Sequence, residues 1–169
     1  MSDDLTIYRR ILPHWRLDGS LYFVTWRLDH DQPPLDGSER DLVAGAVRYF
    51  NVTRYDLFAY VVMNDHVQAL VAPTGTHALQ AIVHSWKSFT AHRLQRPGRG
   101  KRIWQPEYFD RIVRDAEEVR EKLDYIVGNP FKRWPGITSY PWLWFDPSAF
   151  QWRGRYPHRS SLPRARWLG

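Results

Sequence analysis

Cysteine is absent from all 169 residues, which excludes a disulfide framework, a thiolate zinc site and a cysteine nucleophile. Long apolar runs are lacking too. The longest, Leu57 to Met63, falls far short of the roughly 20 residues that a membrane span needs. The opening stretch MSDDLTIYRR is polar and acidic and carries no secretory pattern. Acidic residues are nearly missing from one region: residues 131–169 hold seven Lys/Arg against the single Asp146. The expectation is a soluble intracellular protein without a membrane partner, of a length that suits one domain with an appendage.

The net charge of +6 is set by that region, because residues 1–130 balance 17 basic against 17 acidic side chains. A second acid-free basic stretch is internal: Arg93, Arg96, Arg99, Lys101 and Arg102, interrupted by Pro97, Gly98 and Gly100. Five of the nine tryptophans (Trp134, Trp142, Trp144, Trp152 and Trp167) fall in the C-terminal segment. Arginine interleaved with aromatics suits single-stranded nucleic acid, whose phosphates pair with guanidinium groups while its bases stack. A solubilising tail with tryptophans packed back on the domain is the plainer alternative.

Leu21 to Leu28 is rich in β-branched and aromatic residues and reads as a strand. Ser38-x-x-Asp41 resembles a capping box, and Leu42, Val43, Ala46, Val47 and Phe50 follow at helical spacing. Leu57 to Met63 and His66 to Ala72 are two apolar strands joined by Asn64-Asp65, a hairpin. Thr76 can cap a helix with the stripe Leu79, Ile82, Val83, Trp86 and Phe89. Ile103 to Val113 reads as a strand, and Asp115 can cap a last helix bearing Val119, Leu123, Ile126 and Val127, which Pro130 should stop. The order β-α-β-β-α-β-α is an α+β, ferredoxin-like split βαβ pattern with one extra helix and an aromatic, basic tail. The division this suggests is a domain over residues 1–137 and a tail over 138–169.

Two segments carry residues suited to chemistry. In Tyr60-Val-Val-Met-Asn-Asp-His66-Val67-Gln68, strand alternation projects His66 and Gln68 to one side and Val67 to the other. An imidazole and an amide oxygen side by side can hold a divalent ion, but a histidine next to a turn is also an ordinary hydrogen-bonded residue. In Asp124-Tyr125-Ile-Val-Gly-Asn129-Pro130, a 100° wheel puts Tyr125 roughly 145° from the centre of the helix's apolar stripe. Asn129 lies one turn on, along the same side. A phenol ionises near pH 10 in water, so attack at neutral pH needs a cation that polarises the target or a nearby base. A tyrosine packed on the sheet or on the tail is the alternative. His77, His84 and His92 lack metal-ligand spacing and read as solvated or DNA-facing.

Further pieces are Tyr8-Arg-Arg, Tyr22-Phe-Val-Thr-Trp-Arg27, Lys87, Ile103-Trp-Gln-Pro-Glu-Tyr-Phe109 and Asp124-Tyr-Ile-x-x-Asn-Pro-x-Lys132. With the His66 hairpin, their order and spacing resemble the REP-associated tyrosine transposases of the single-tyrosine HUH endonuclease superfamily, over roughly residues 8–137. The resemblance implies a bacterial, cytoplasmic, nucleoid-associated enzyme that binds hairpin-bearing single-stranded DNA on a ferredoxin-like sheet. It implies nicking and rejoining of that DNA without a nucleotide cofactor, through a 5′-phosphotyrosine link and a free 3′-OH. Tyr125 would be the nucleophile, with His66, Gln68 and Asn129 holding Mg²⁺ or Mn²⁺. Lys87, Arg93, Arg96, Arg99, Lys101, Arg102, Lys132 and Arg133 would meet DNA, and the protein would act as a monomer or homodimer.

The chain departs from the family motif at Gln68, where the second histidine is expected, and at Asn64, where proline is usual. Glutamine is a neutral oxygen donor, and oxygen donors suit Mg²⁺ or Mn²⁺. Two other readings stand beside the transposase. One is a domesticated hairpin-DNA-binding protein that has lost cleavage with the histidine; the other is a ferredoxin-like RNA-binding module.

Overall fold

The computed structural model describes residues 20–147. Its elements are β1 (Leu21–Arg27), α1 (Gly37–Tyr49), β2 (Tyr55–Val62), β3 (His66–Pro73), α2 (Leu79–Arg93), β4 (Phe109–Val113), α3 (Ala116–Arg133) and β5 (Leu143–Phe145). All strand pairs are antiparallel, in the order β4-β1-β3-β2-β5. The first four strands with α1 and α2 make the expected split βαβ pattern. β5 adds a fifth strand, outside β2.

The sheet divides two hydrophobic clusters. Val24, Trp26, Tyr60, Val62, Val67 and Val71 face α1 and α2. There Trp26 stacks on Trp86 with centroids 5.4 Å apart. The Trp86 indole donates to the Tyr55 hydroxyl (3.0 Å), which donates to the Val47 carbonyl (2.6 Å). The opposite face carries Leu21, Phe23, Met63 and Leu70 under α3, which buries Val119, Leu123, Ile126 and Val127. Strand periodicity of two explains this partition. At the bulge between Leu57 and Ala59 the alternation slips, so Phe58 and Ala59 both join the α3 side.

Several local expectations need correction. The capping box belongs to Asp36 and Glu39, whose side chains exchange hydrogen bonds with each other's backbone N–H at 2.9 Å, and Ser38 only donates to Asp36. Helix α2 begins after Ala78 with no side-chain cap, so Thr76 does not serve. Phe89 is 47% exposed, and its place in the core is taken by Thr90, whose hydroxyl donates to the Trp86 carbonyl and accepts from the Trp104 indole. Of Ile103 to Val113 only Phe109–Val113 is strand, because Trp104 makes an isolated bridge to Leu28 and the chain bends at Pro106 before β4.

Pro130 does not stop α3. Its missing N–H removes one helical bond, yet the ring is buried and the Trp134 N–H closes on the Pro130 carbonyl at 2.9 Å. Helical geometry therefore persists through Asn129. The stretch after the helix is also built in. The Tyr140 hydroxyl donates to the Val62 carbonyl (2.7 Å), its ring stacks on Trp134, and Trp144 stacks on Tyr60. The first part of the expected tail is thus sheet and core; Trp152, Trp167 and the basic residues from Arg153 on lie outside the described residues, as does Tyr8-Arg-Arg.

Candidate active site

β3 starts immediately after the two-residue Asn64-Asp65 turn, closed by the Met63 N–H on the His66 carbonyl at 2.8 Å. His66 and Gln68 point toward α3 and are 7% and 2% exposed, while Val67 enters the opposite cluster. Across β1 they pair with Arg27 and Thr25. Above them, Asn129 projects from α3 so that its Nδ2 lies 3.2 Å from His66 Nε2 and 3.0 Å from Gln68 Oε1. The three residues singled out as ligands converge on one point.

His66 is oriented from behind. Its Nδ1 lies 2.7 Å from Asp65 Oδ1, and the same carboxylate is 3.6 Å from the Arg133 guanidinium. Burial pushes the imidazole pKa below its ordinary value, outweighing the upward pull of Asp65. Burial alone would raise the Asp65 carboxyl, but the His66 hydrogen bond and the Arg133 and Arg27 charges hold it low. A neutral imidazole with Nδ1–H donated to a carboxylate turns the Nε2 lone pair inward. A carboxylate behind a histidine also strengthens it as a ligand.

The donor set fits a divalent ion. Two acceptors, His66 Nε2 and Gln68 Oε1, face the place now filled by the Asn129 amide nitrogen. Turning that amide by 180° offers Oδ1 there instead, a third acceptor. One imidazole and two amide oxygens suit Mn²⁺ or Mg²⁺. No group of three or more His, Cys, Asp or Glu placed to hold a metal ion is found among the described residues; the cage of His66, Gln68 and Asn129 would be uncharged.

Tyr125 stands one turn before Asn129 and is 48% exposed. Its ring meets Phe23 edge-on with centroids 6.0 Å apart, and Lys132 Nζ is 5.9 Å from its centre. It opens on a cleft of about 630 Å³ between α3 and the β1–β4 side of the sheet, bordered by Gln68, Thr25, Arg27, Phe109 and Lys132. The cleft exists because α3 packs over β2, β3 and β5, leaving the β1–β4 side of this face open. Tyr125 is thus the solvent-facing tyrosine that the helical wheel implies.

The basic residues fall into two groups. Lys132 borders the cleft, and Arg133 braces Asp65. The internal basic loop is largely a clip. Arg96-Pro97-Gly98-Arg99 forms a turn closed by the Arg99 N–H on the Arg96 carbonyl (3.0 Å), with Pro97 second and Gly98 third at φ 91°, the chemistry of a type II turn. Both flanking arginines land on Glu39. Arg99 has no exposed side-chain surface and also donates to the Pro33 and Pro34 carbonyls. Its assignment to DNA is therefore corrected: it holds the loop to the start of α1.

Lys87 likewise donates to the carbonyls of Gln105 and Pro106 at 2.7 and 2.9 Å, and burial lowers its pKa. Arg93 lies over the Phe89 ring at 5.3 Å, Lys101 is exposed, and Arg102 approaches Asp29 at 4.0 Å. Sequence reasoning left Asp65 without a role and did not single out Arg27, Thr25 or Phe109. The signal for Arg27 was present, since Phe23, Thr25 and Arg27 alternate on one face of β1. The β1–β3 register that sets it beside His66 was not readable.

Three comparisons bear on this geometry. A family model described as "Transposase IS200 like" matches residues 37–129. The chain is 25% identical over 154 residues to the REP-associated tyrosine transposase of Escherichia coli (strain K12), covering 89% of this chain and 87% of that protein. Among solved structures, a REP-associated tyrosine transposase bound to a REP hairpin superposes with a TM-score of 0.62 at 21% identity, over 77% of this chain and 79% of that one. A transposase-like protein from Deinococcus radiodurans R1 superposes with a TM-score of 0.51 at 23% identity, over 68% of this chain and 92% of its own. At these identities the two structural likenesses speak for the fold.

Proposed function

The chain belongs to the IS200-like transposase family, and from that premise we propose that it nicks and rejoins single-stranded, hairpin-bearing DNA through a phosphotyrosine formed at Tyr125. The observation that carries this reading is the convergence of His66 Nε2, Gln68 Oε1 and the Asn129 amide within 3.2 Å, one helical turn from an exposed tyrosine. The related transposase seen with a REP hairpin supports the DNA class.

In this mechanism the Tyr125 oxygen bonds to the scissile phosphorus as the bond to the 3′-oxygen breaks. The phenolic proton leaves to water, and the departing 3′-oxygen takes one up, leaving a 5′-phosphotyrosine and a free 3′-OH. Attack by a 3′-OH on that linkage reforms the phosphodiester and releases Tyr125, so no nucleotide cofactor is needed. A divalent ion, held by His66, Gln68 and Asn129, would polarise the phosphate. Asp65 keeps the His66 lone pair aimed at the ligand position, and the Phe23 edge holds the Tyr125 ring over the sheet.

The second reading, a DNA-binding protein without cleavage, is favoured by one feature, Gln68, which offers a single amide oxygen where the family motif has an imidazole nitrogen. A denaturing gel separates the two. Full-length protein incubated with a pool of hairpin-bearing oligonucleotides and Mn²⁺ should give a shifted covalent band that EDTA and Tyr125→Phe both abolish. Retention of the same DNA on a native gel with no covalent band in any metal would establish binding alone. An RNA hairpin outcompeting DNA of the same sequence would refute both.

A further inference from the structure

Arg27 closes β1 and pairs with His66 across the sheet, one alternation beyond the Thr25–Gln68 pair. Direct antiparallel partners carry their side chains on the same face, within about 5.5 Å at Cβ, so Arg27 stands beside the ligand set. It is exposed. Among the described residues its guanidinium makes no ion pair within 4.0 Å and no hydrogen bond, whereas Arg96, Arg99, Arg102, Arg111 and Arg133 each sit on a carboxylate. Its position is also that of a divider. The cleft with Tyr125 and Gln68 and a second recess of about 310 Å³, bordered by His30, Asp65 and Gln105, have Arg27 in common.

We propose that Arg27 is a catalytic residue of the strand-cutting reaction, gripping the non-bridging oxygens of the scissile phosphate while the nucleotides on either side occupy the two recesses. This rests on the reading of the preceding subsection. His66, Gln68 and Asn129 are neutral, so a counter-charge supplied by the protein itself must come from a side chain beyond the ligand set. As Tyr125 adds to phosphorus, the equatorial oxygens gain negative charge that needs a fixed counter-charge. Lys132 supplies a cation on the tyrosine side of the cleft; Arg27 supplies one on the histidine side. A guanidinium fork also matches two phosphate oxygens at once, which an ammonium cannot do.

The test is a cycle between protein and substrate. The full chain and its Arg27→Ala and Arg27→Gln variants are compared on one hairpin oligonucleotide that has either a normal phosphate or an uncharged methylphosphonate at the scissile position. On the phosphate, both variants should form the covalent adduct about a hundredfold more slowly at saturating DNA, with affinity changed by no more than about threefold and Arg27→Lys restoring part of the rate. On the methylphosphonate, the penalty should shrink to about fivefold or less, because the charge that Arg27 meets is gone. A penalty that is the same on both substrates, or a loss confined to affinity, overturns the assignment while leaving strand cutting intact. No adduct from the unsubstituted protein on any substrate overturns the strand-cutting reading itself.

Discussion

The two faces of the sheet are built from the same strands and treat their polar groups in opposite ways. Under α1 and α2, most buried polar side chains are paired internally, Trp86 to Tyr55, Tyr55 to Val47 and Trp104 to Thr90, and the Trp26 indole N–H is the exception, buried without a partner among the described residues. Even the basic loop on that side turns Arg99 inward onto Glu39. Under α3, one helix covers part of the face, and what is left holds an exposed tyrosine, the exposed Arg27 and three neutral ligand-type side chains. The difference lies in cover: two helices close one face of the sheet, whereas a single helix leaves a cleft beside Tyr125 on the other.

The largest effect that would test this division is Trp86→Ala. Trp86 is 2% exposed among Trp26, Tyr55 and Thr90, so its loss should cost about 4 kcal/mol. Urea unfolding measures it, and a cost under about 1 kcal/mol would mean that the sealed face is not the stable one. Next is acid. Glu39 is buried, which alone would raise its pKa, but hydrogen bonds from Arg99, Arg96 and the Asp36 backbone bring it down to about 2 from 4.5.

A depressed carboxyl stabilises fully above its free pKa and loses that contribution as pH falls through its folded pKa. The chain should therefore lose about 3 kcal/mol between pH 4.5 and pH 2 through this group. Glu39→Gln should flatten that part of the stability–pH curve and leave adduct formation at pH 7 unchanged.

On the open face the order reverses. Asn129→Ala should raise the Mn²⁺ concentration for half-maximal adduct about tenfold, with an unfolding midpoint in urea close to that of the unsubstituted protein. An unchanged Mn²⁺ requirement would remove Asn129 from the ligand set. The smallest effect belongs to Arg102, 65% exposed at its side chain and 4.0 Å from Asp29. Arg102→Ala should alter stability by less than about 0.5 kcal/mol. If Arg102 meets phosphate, the same change lowers the salt slope of hairpin binding by about one.

What could be read ahead of the structure follows the range of the interactions. The split βαβ order, the hairpin at Asn64-Asp65 and the sidedness of His66 and Gln68 depend on periodicity within a few residues, and all are found. Tyr125 was identifiable as the residue off its helix's apolar stripe for the same reason. Failures came where a competing partner lay elsewhere in the chain. Arg99 looked like a phosphate contact until Glu39, 60 residues away, claimed it. Phe89 fitted the stripe of α2, but the Trp104 indole favoured Thr90 as the inward neighbour. Pro130 was expected to end a helix whose burial against Met63, Phe58 and their neighbours carries it through. β5 is three residues long, too short for any alternation to announce.

Helix α3 is secured at both ends. Asp115 and the Arg111–Glu118 pair fix its beginning, and Arg133 ties its end to Asp65, the carboxylate that also aims His66. Between these ties its apolar side is buried along the whole length. A tyrosine mounted on such a beam, tied at both ends, is an anvil. In any exchange of one DNA end for another, the protein would stand still and the nucleic acid would do the travelling. Target choice would then be governed by which ends can drift to the anvil during the lifetime of the bond.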